Sequence, residues 1–422
     1  MRVLKRNPWL ASLGALLAMM VLSARNVSAD ASTDRGGSIV AFPKVISDGT
    51  RDTLIQISNV SNSVVFAHCM YLDASPDIPG EPVSPDNPRR CVERDFTITL
   101  TRQQPTIWRV STGRVLNAFD MLVGMCDTFD QFGAARQSCP GIDPGNVINV
   151  GTVFEGHLVC VQTDSSGAPI GGDALKGEAF IESVIPGGLD GLISAYNAVS
   201  ISQGTDGPDG DEVLQLDGSE YAQCPDRLRF THLAEGGENP AAPQYLASTE
   251  LTLMPCTIDY ETQAHPRVTV QFGVWNAFEQ FASTSTLLDC WFNESLSDIG
   301  SLWEPDSTTY QTQVRPQDGF RCRGGNPDFE YNNCTDSDQC GGGICAPASG
   351  LLGVAETFNV LDVVSLVPEG ATGSSAINLH GLGTRETDTI YLQTGQQGTC
   401  VGGLNDGNPC TTNAECPFGE CL

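Results

Sequence analysis

The sequence predicts an all-β protein made of two β-sandwich domains and two small modules held together by disulfides. Three observations carry this prediction. Apolar and polar residues alternate in many short segments, a four-cysteine spacing occurs twice, and no segment shows a sustained 3.6-residue periodicity. Alternation places one face of a strand on a core, and many short strands separated by turn residues are typical of β-sandwiches.

The strand prediction is clearest where the alternation is unbroken. Residues 96–100 read Phe-Thr-Ile-Thr-Leu, and three valines and a phenylalanine alternate with other residues over 268–275. Clusters of Gly, Pro, Asp and Asn, such as 75–89 and 204–211, predict loops. The other predicted strands are 38–42, 52–58, 64–71, 106–111, 157–162, 227–231, 248–254, 284–292, 360–367 and 387–392.

Eight of the 16 cysteines form the repeated spacing. The two copies read C-x11-C-x5-C-x4-C and C-x9-C-x5-C-x4-C. In both, the third and fourth residues, counted from the first cysteine, are Gly-Gly. A segment this short has too little apolar mass for a core, so we expect disulfides to stabilise it. A zinc site is the alternative, but its thiolate ligands prefer closer pairs. The repeated cysteines are Cys322, Cys334, Cys340, Cys345, Cys400, Cys410, Cys416 and Cys421.

The other eight cysteines lie in the predicted sandwiches. Eight cysteines allow roughly a hundred different pairings, so sequence alone does not select one. Pairing between neighbours in the chain is the simplest hypothesis. It predicts the bonds Cys69–Cys91, Cys126–Cys139, Cys160–Cys224 and Cys256–Cys290.

Residues 1–29 are typical of a secretory signal peptide. Arg2, Lys5 and Arg6 precede an apolar stretch, and Val27-Ser28-Ala29 resembles a cleavage site. The apolar stretch is shorter than the roughly 20 residues that a spanning helix needs, so cleavage is favoured over anchoring. We therefore expect a protein without a transmembrane segment after cleavage, secreted or at the cell surface, with the periplasm as an alternative. Disulfides persist in these oxidising compartments.

The chain is strongly acidic. Its formal net charge is −29, and it becomes −33 without residues 1–29, which contain four basic and no acidic residues. This field repels nucleic acid and anionic lipid, so nucleic-acid partners are excluded. Only three lysines occur, and a solvated acidic surface is the default interpretation of the charge.

The predicted strands group into two sandwich domains, 36–200 and 205–396. The first cysteine module, 322–345, interrupts the second domain, because predicted strands resume after it. The second module, 397–422, ends the sequence. A faint internal similarity between 53–71 and 269–292 favours a duplicated sandwich: in each, a strand carrying Gln leads through Asn to a strand carrying Cys and an aromatic residue.

No residue pattern identifies a reaction, and we predict that the protein is not an enzyme. The chain lacks a P-loop, an H-E-x-x-H segment and a G-x-S-x-G segment, and its five histidines are scattered. The loop containing Asp206, Asp209 and Asp211 could supply carboxylate ligands to calcium, although it lacks the complete EF-hand pattern. A solvated turn is the preferred interpretation of this loop.

Four tryptophans admit two interpretations, a sugar-stacking platform or core packing, and core packing is favoured for those in apolar strands. The four residues are Trp108, Trp275, Trp291 and Trp303.

Two segments resemble known families. Residues 52–59, Asp-Thr-Leu-Ile-Gln-Ile-Ser-Asn, resemble the opening strands of immunoglobulin-like domains in bacterial secreted and surface proteins. Residues 400–421 resemble short cysteine-rich repeats of large exported bacterial proteins. The resemblance covers a quarter of the chain at most and carries no catalytic residues. It implies that the two β-sandwich domains are immunoglobulin-like.

These observations predict a non-enzymatic extracellular protein with a structural, adhesive or surface-associated function, stabilised by disulfides. Its partners would be other extracellular or surface proteins, or glycans, and exposed sheet edges could support self-association. The alternative is a secreted carbohydrate-binding or carbohydrate-active protein stabilised by calcium. A hydrolase whose site forms only in three dimensions is the third hypothesis.

Overall fold

The structure is a computed structural model. It describes residues 31–84, 86–114, 144–183, 191–263, 267–304, 306–317, 320–323, 333–334, 337–342, 344–347, 349–361, 371–393, 398–401, 409–410 and 420–421. The all-β prediction is confirmed: the described residues form sheets that are antiparallel apart from one short parallel pair, with one four-residue α-helix, α1 (Leu296–Ile299), and short 3₁₀ turns. Over these residues we find no helix with the length and apolar character that crossing a bilayer requires. The predicted signal peptide, 1–29, lies outside the described residues.

The first sandwich contains nine strands. They are β1 (Ile39–Ser47), β2 (Arg51–Asn59), β3 (Val65–Asp73), β4 (Val92–Leu100), β5 (Pro105–Arg109), β6 (Phe154–Thr163), β7 (Leu175–Ser183), β8 (Ile193–Asn197) and β9 (Val199–Ile201). One layer has the order β4-β3-β6-β1-β9, and the other β5-β2-β7-β8. The layers are joined at β1 and β2, which pair only through Ser47 and Asp52. Alternate residues of both layers form one core, in which Trp108 Nε1 donates a hydrogen bond to Tyr71 Oη at 2.7 Å.

The second half of the chain supplies the remaining strands. They are β10 (Val213–Leu216), β11 (Arg227–Leu233), β12 (Glu238–Asn239), β13 (Ala242–Pro255), β14 (Ile258–Asp259), β15 (Val268–Asn276), β16 (Phe281–Leu288), β17 (Phe292–Ser295), β18 (Thr309–Pro316), β19 (Phe320–Arg323), β20 (Asn333–Cys334), β21 (Ile344–Pro347), β22 (Leu351–Leu361), β23 (Ala371–Asn378), β24 (His380–Leu382), β25 (Asp388–Tyr391), β26 (Gly398–Val401), β27 (Pro409–Cys410) and β28 (Glu420–Cys421). Sheets β16-β15-β18-β11-β24 and β12-β13-β22-β23 enclose the second core, and β10-β25-β14 forms a small third sheet.

The two sandwiches share a third core. The outer face of the layer β4-β3-β6-β1-β9 contributes Ile39, Met70 and Val159, which pack with Tyr260 and Trp291 from the second half of the chain. This layer is therefore covered on both faces, and all nine residues of β1 are buried. A strand buried on both faces has no reason to alternate, which explains the apolar run at the start of β1.

The predicted strand 284–292 is wrong in its extent. Strand β16 ends at Leu288, the chain bends through 289–291, and β17 begins at Phe292 in a different sheet. The bend places Cys290 and Trp291 in the core shared by the two sandwiches. Tertiary packing therefore overrides local alternation. Of the predicted strand 360–367, residues 362–367 lie outside the described residues.

Three of the four predicted disulfides, Cys69–Cys91, Cys160–Cys224 and Cys256–Cys290, are wrong. Cys69 and Cys160, on adjacent strands, form one disulfide. The other described disulfides outside the two cysteine modules are Cys91–Cys290 and Cys224–Cys256. Cys69 lies directly opposite Cys160 in the register of β3 and β6, so sheet topology decides the pair and sequence proximity does not. The predicted bond Cys126–Cys139 lies outside the described residues.

The two cysteine modules have the same backbone register. In the first, Cys322 faces Cys345 and Phe320 faces Cys334. In the second, Cys400 faces Cys421 and Gly398 faces Cys410, which are the equivalent positions. The first module contains the disulfides Cys322–Cys340 and Cys334–Cys345, so these cysteines form disulfides and not a zinc site. Cys416 lies outside the described residues.

Candidate functional site

A buried lysine lies where the two sandwiches meet. Lys44 follows Pro43 in a β-bulge, where the register of β1 shifts between Phe42 and Val45. Proline has no N–H to donate, so it is tolerated at such an irregularity. The Tyr196 hydroxyl donates a hydrogen bond to the Lys44 carbonyl oxygen at 2.5 Å. The Lys44 side chain is fully buried.

The partners of Lys44 come from the second sandwich. Glu250 on β13 lies directly opposite Glu356 on β22, and like charges opposite each other in a sheet are destabilising. Lys44 Nζ lies 2.8 Å from Glu356 Oε2 and also contacts Glu250 Oε2. Arg51 Nη1 donates to Glu250 Oε2 at 2.8 Å, and the Ser194 hydroxyl donates to Glu356. Two cations thus compensate two carboxylates.

We call Lys44, Arg51, Glu250 and Glu356 the interface ion-pair network. Burial alone would raise the pKa of the Glu250 carboxyl, but the Lys44 ammonium and the Arg51 guanidinium outweigh it and lower the pKa to about 2. Both carboxylates touch cations of the first sandwich, so the network exists only while the sandwiches remain together. Removing one partner would leave a buried charge without compensation.

Other contacts cross the same boundary. The bond Cys91–Cys290 joins the sandwiches covalently. Trp291 Nε1 donates to the Pro43 carbonyl oxygen at 2.7 Å, and the Arg89 guanidinium lies 5.1 Å from the centre of the Trp291 ring. These contacts, together with the shared core, make the two sandwiches one packed unit.

A second charged site lies between 203 and 221. The backbone N–H groups of Gly204, Thr205 and Asp206 donate to carbonyl oxygens of 218–220, so the predicted calcium loop is held against the turn that follows β10. Asp206 Oδ2 accepts a hydrogen bond from Ser219 Oγ at 2.5 Å. The loop prediction for 204–211 agrees with this irregular backbone.

The turn adds two carboxylates that the sequence prediction missed, Asp217 and Glu220. We call Asp209, Asp211, Asp217 and Glu220 the acidic cluster. Burial raises the pKa of Glu220, and the three neighbouring aspartates raise it further, to about 7, although a hydrogen bond from the Gln215 N–H opposes them. Their distance in sequence from Asp206 hid their proximity, and only the backbone contacts between loop and turn reveal it.

A third buried carboxylate belongs to Glu93 on β4. Among the described residues its two oxygens have no hydrogen-bond partner. Burial and the nearby Asp95 carboxylate raise the pKa of Glu93 to about 8. It faces the shared core, where Tyr260 Oη lies 3.4 Å from His157 Nε2. A carboxyl group in this setting is protonated at neutral pH.

Three of the four tryptophans are core residues. Trp108, Trp291 and Trp303 are 3 %, 1 % and 0 % exposed, which excludes them as a sugar-stacking platform. Trp275 is half-buried, and its ring centre lies 4.8 Å from that of Phe281. Phe278 and Phe281 are 72 % and 59 % exposed. These three residues at the end of the β15–β16 hairpin form what we call the aromatic tip.

The histidines do not form one site among the described residues. His68 Nε2 lies 2.7 Å from Asp95 Oδ2. His232 is stacked between Phe230 and Tyr310, and burial lowers its pKa to about 4, so it is neutral. His157 is buried beside Tyr260, and His380 is exposed on β24. His265 lies outside the described residues.

A comparison with known proteins finds no family model that matches the sequence and no curated protein that is significantly similar to it.

Proposed function

We propose that this chain is a non-enzymatic extracellular protein with a structural or adhesive function, in which two immunoglobulin-like sandwiches act as one rigid unit. The observation that carries the proposal is the boundary between the sandwiches. A disulfide, a shared apolar core and a buried ion-pair network all join them. Domains with independent functions usually meet through smaller and more polar surfaces.

Contact with partners would use the second sandwich. Strand β16 is the end strand of its sheet, and its sequence FASTSTLL contains no charged residue and no proline. Natural edge strands are commonly protected from further pairing by lysine or proline. The aromatic tip lies at the start of this strand. Together they offer an uncharged surface on a very acidic protein, suited to another extracellular protein or to a second copy of this chain.

Expression of the full chain with residues 1–29 in a secreting host tests the proposal. We expect the protein outside the cytoplasm, with its N-terminus near Asp30 and no free thiols. We expect beads coated with it to bind extracellular matrix proteins or one another. Phe278→Ser with Phe281→Ser should weaken this binding. Ile107→Ser, which changes an exposed apolar residue of the first sandwich, should not.

The proposal is wrong if the protein remains in the cytoplasm with residues 1–29 intact. It is also wrong if the coated beads bind nothing, or if the purified protein hydrolyses polysaccharides or peptides.

Carbohydrate binding is the second candidate function, and the aromatic tip is the observation that favours it. An exposed aromatic ring can stack on a sugar, and Trp275 with Phe281 supplies adjoining rings. Binding on a glycan array that Phe281→Ser abolishes and Ile107→Ser preserves would favour this function. Glycan binding unaffected by Phe281→Ser would assign it to another surface.

A further inference from the structure

We propose that the solvated face of the sheet β16-β15-β18-β11-β24 binds an acidic glycan, a sugar chain in which carboxylate or sulfate groups are separated by neutral sugars. The inference deepens the proposed function and rests on it, because glycans of this class are ligands outside the cell. The opposite face of the same sheet lies on the second core.

This solvated face, which we call the outer face, carries no carboxylate. It consists of the alternate residues that do not enter the second core. They read Phe-Ser-Ser-Leu on β16, Thr-Gln-Gly-Trp on β15, Thr-Gln-Gln-Arg on β18 and Arg-Arg-Thr-Leu on β11, and β24 adds His380 and Leu382. Asp289 lies just beyond the end of β16, and it forms an ion pair with Arg267. The outer face is therefore positive, on a chain whose formal net charge is −29.

Three arginines of the outer face have no anionic partner. Arg227 and Arg315 are exposed and Arg229 is half-buried, and none of the three forms an ion pair with a described residue. Residues 202–422 contain seven arginines and no lysine, so three on one face concentrate a scarce charge. The planar guanidinium group matches a carboxylate or another oxyanion. An anionic ligand would supply the partner that these arginines lack.

The strand register places hydrogen-bonding groups in a row across the sheet. Gly273 faces Ser283 on β16 and Gln313 on β18. Gln313 in turn faces Arg229, which faces His380 on β24. Neighbouring strands lie about 4.8 Å apart, so a row across five strands extends for roughly 19 Å. An extended sugar chain fits such a row, since an amide can both donate to and accept from hydroxyl groups.

The Arg315 guanidinium is held in place in the neighbouring row. Its Nε and Nη2 both donate to Gln271 Oε1, at 3.1 and 2.9 Å. A guanidinium has more N–H groups than these two contacts use, so further donors remain for an oxyanion. Because Gln271 already orients Arg315, less side-chain freedom is lost when a ligand binds.

Trp275 supplies a surface for the apolar side of a sugar ring. A side chain at Gly273 would meet Trp275 Cη2 at 3.2 Å and Phe281 Cε2 at 3.1 Å, so both rings lean over the glycine. The Trp275 ring therefore lies along the sheet instead of projecting from it. An aromatic ring in this orientation can stack on a sugar beside the row of amides and guanidinium groups.

The chemistry of the outer face favours a glycan over a protein or a nucleic acid. The centres of protein interfaces are apolar and depleted of charge, whereas the middle strands of this face present amide, hydroxyl and guanidinium groups. A nucleic acid carries a charge on every nucleotide and is repelled by the excess of negative charge on the chain. An acidic glycan has fewer charges, and at about 0.15 M salt the field of distant carboxylates is screened beyond about 8 Å.

A glycan array tests the proposal, with sialylated and uronic-acid glycans printed beside counterparts whose carboxyl groups are removed or reduced. We expect the full chain to bind the acidic members in about 0.15 M NaCl and their neutral counterparts at least about tenfold more weakly. Arg229→Gln with Arg315→Gln should weaken binding of the acidic members roughly a hundredfold, because two charged donors are lost. Arg102→Gln, which changes an exposed arginine of the first sandwich, should retain it.

Trp275 reports whether the ligand lies on this face. Trp108, Trp291 and Trp303 are buried, so among the described residues acrylamide should quench mainly the fluorescence of Trp275. We expect an acidic oligosaccharide that binds on the array to reduce this quenching, and Trp275→Phe should remove the effect. The arginine double variant should keep the Tm of the natural protein, because both side chains lie on the solvated face.

Three results would overturn the proposal: equal binding of acidic and neutral glycans, no binding of any acidic glycan, or full binding by the arginine double variant. Polyglutamate that binds as strongly as the acidic glycans would also overturn it and assign the face to an acidic protein segment. Beads coated with the arginine double variant should still adhere through the aromatic tip. Failure of glycan binding with intact adhesion would therefore leave the proposed function standing, whereas failure of adhesion by the natural protein would contradict that function itself.

Discussion

The interface ion-pair network and the acidic cluster both place carboxylates close together. They differ in whether basic side chains compensate the negative charge. At the interface, Glu250 and Glu356 lie opposite each other and receive Lys44 and Arg51 from the other sandwich. In the acidic cluster, three aspartates raise the pKa of Glu220, and no basic residue of the described part of the chain is among its causes. The chain has only 22 basic residues against 51 acidic ones, so most carboxylates receive no basic partner.

The difference shows where a scarce positive charge stabilises the protein most. Only two lysines remain beyond residue 29, and one of them is fully buried between the sandwiches. An exposed ion pair contributes little, whereas a buried carboxylate without a cation is strongly destabilising. Glu93 shows a third arrangement, in which a buried carboxyl group remains protonated because no cation or hydrogen-bond donor from the described residues reaches it.

Substitution of Lys44 should have the largest effect. Lys44→Met keeps the length of the side chain but leaves Glu356 buried without its cation, and we expect the free energy of unfolding to fall by about 3–5 kcal/mol. Lys176→Met is the matched control, since the polar contact of Lys176 within the described structure is an exposed one with the Asp34 carbonyl oxygen. Urea denaturation of both variants measures the difference. Equal stabilities would mean that the apolar core and the disulfide alone hold the sandwiches together.

Glu93 should make the stability of the protein fall as the pH rises from weakly acidic to about 8. The pKa of its carboxyl group is raised from 4.5 to about 8 in the folded protein, so the unfolded chain loses this proton first as the pH rises. Stability should therefore fall between pH 4.5 and pH 8, by on the order of 3 kcal/mol, and then level off. In Glu93→Gln this part of the decline should disappear. Denaturation at a series of pH values measures it, and an unchanged decline in the variant would contradict the assignment.

A pair of matched substitutions tests the comparison most directly, because the two should change the free energy of unfolding in opposite directions. Glu250→Gln removes the carboxylate that meets both Lys44 and Arg51, and it should lower stability by about 1.5–3 kcal/mol. Asp209→Asn keeps the oxygen that accepts the Asp211 N–H and removes one repelling charge. It should raise stability slightly, by less than about 0.5 kcal/mol. Two losses of similar size would remove the distinction between the two regions.

Local patterns predicted the strands well where one face of a sheet is solvated. The alternation at 268–275 corresponds to β15, whose residues alternate between buried and half-buried. The same reasoning failed at 284–292, because Cys290 and Trp291 leave the sheet to enter the core that the two sandwiches share. It also missed the importance of Lys44, since a single lysine in an apolar segment has no pattern that indicates its partner.

The candidate sites were also predictable from the sequence only where their residues are close together in the chain. The acidic loop was visible because its aspartates are close in sequence, but Asp217 and Glu220 joined it only through backbone hydrogen bonds between loop and turn. The disulfides were predicted as a class, whereas Cys91–Cys290 depends on how two sandwiches pack across 199 residues of chain.

The sequence alone therefore determined the all-β fold, the repeated cysteine modules and the excess of negative charge. These properties follow from the composition and from patterns within a few residues, which act through local geometry and solvation. Only the tertiary structure decided which carboxylates meet a cation, which cysteines meet one another and which tryptophans are buried. Those outcomes depend on contacts between residues far apart in the chain, and packing of the two sandwiches selects one set from many that the same residues would allow.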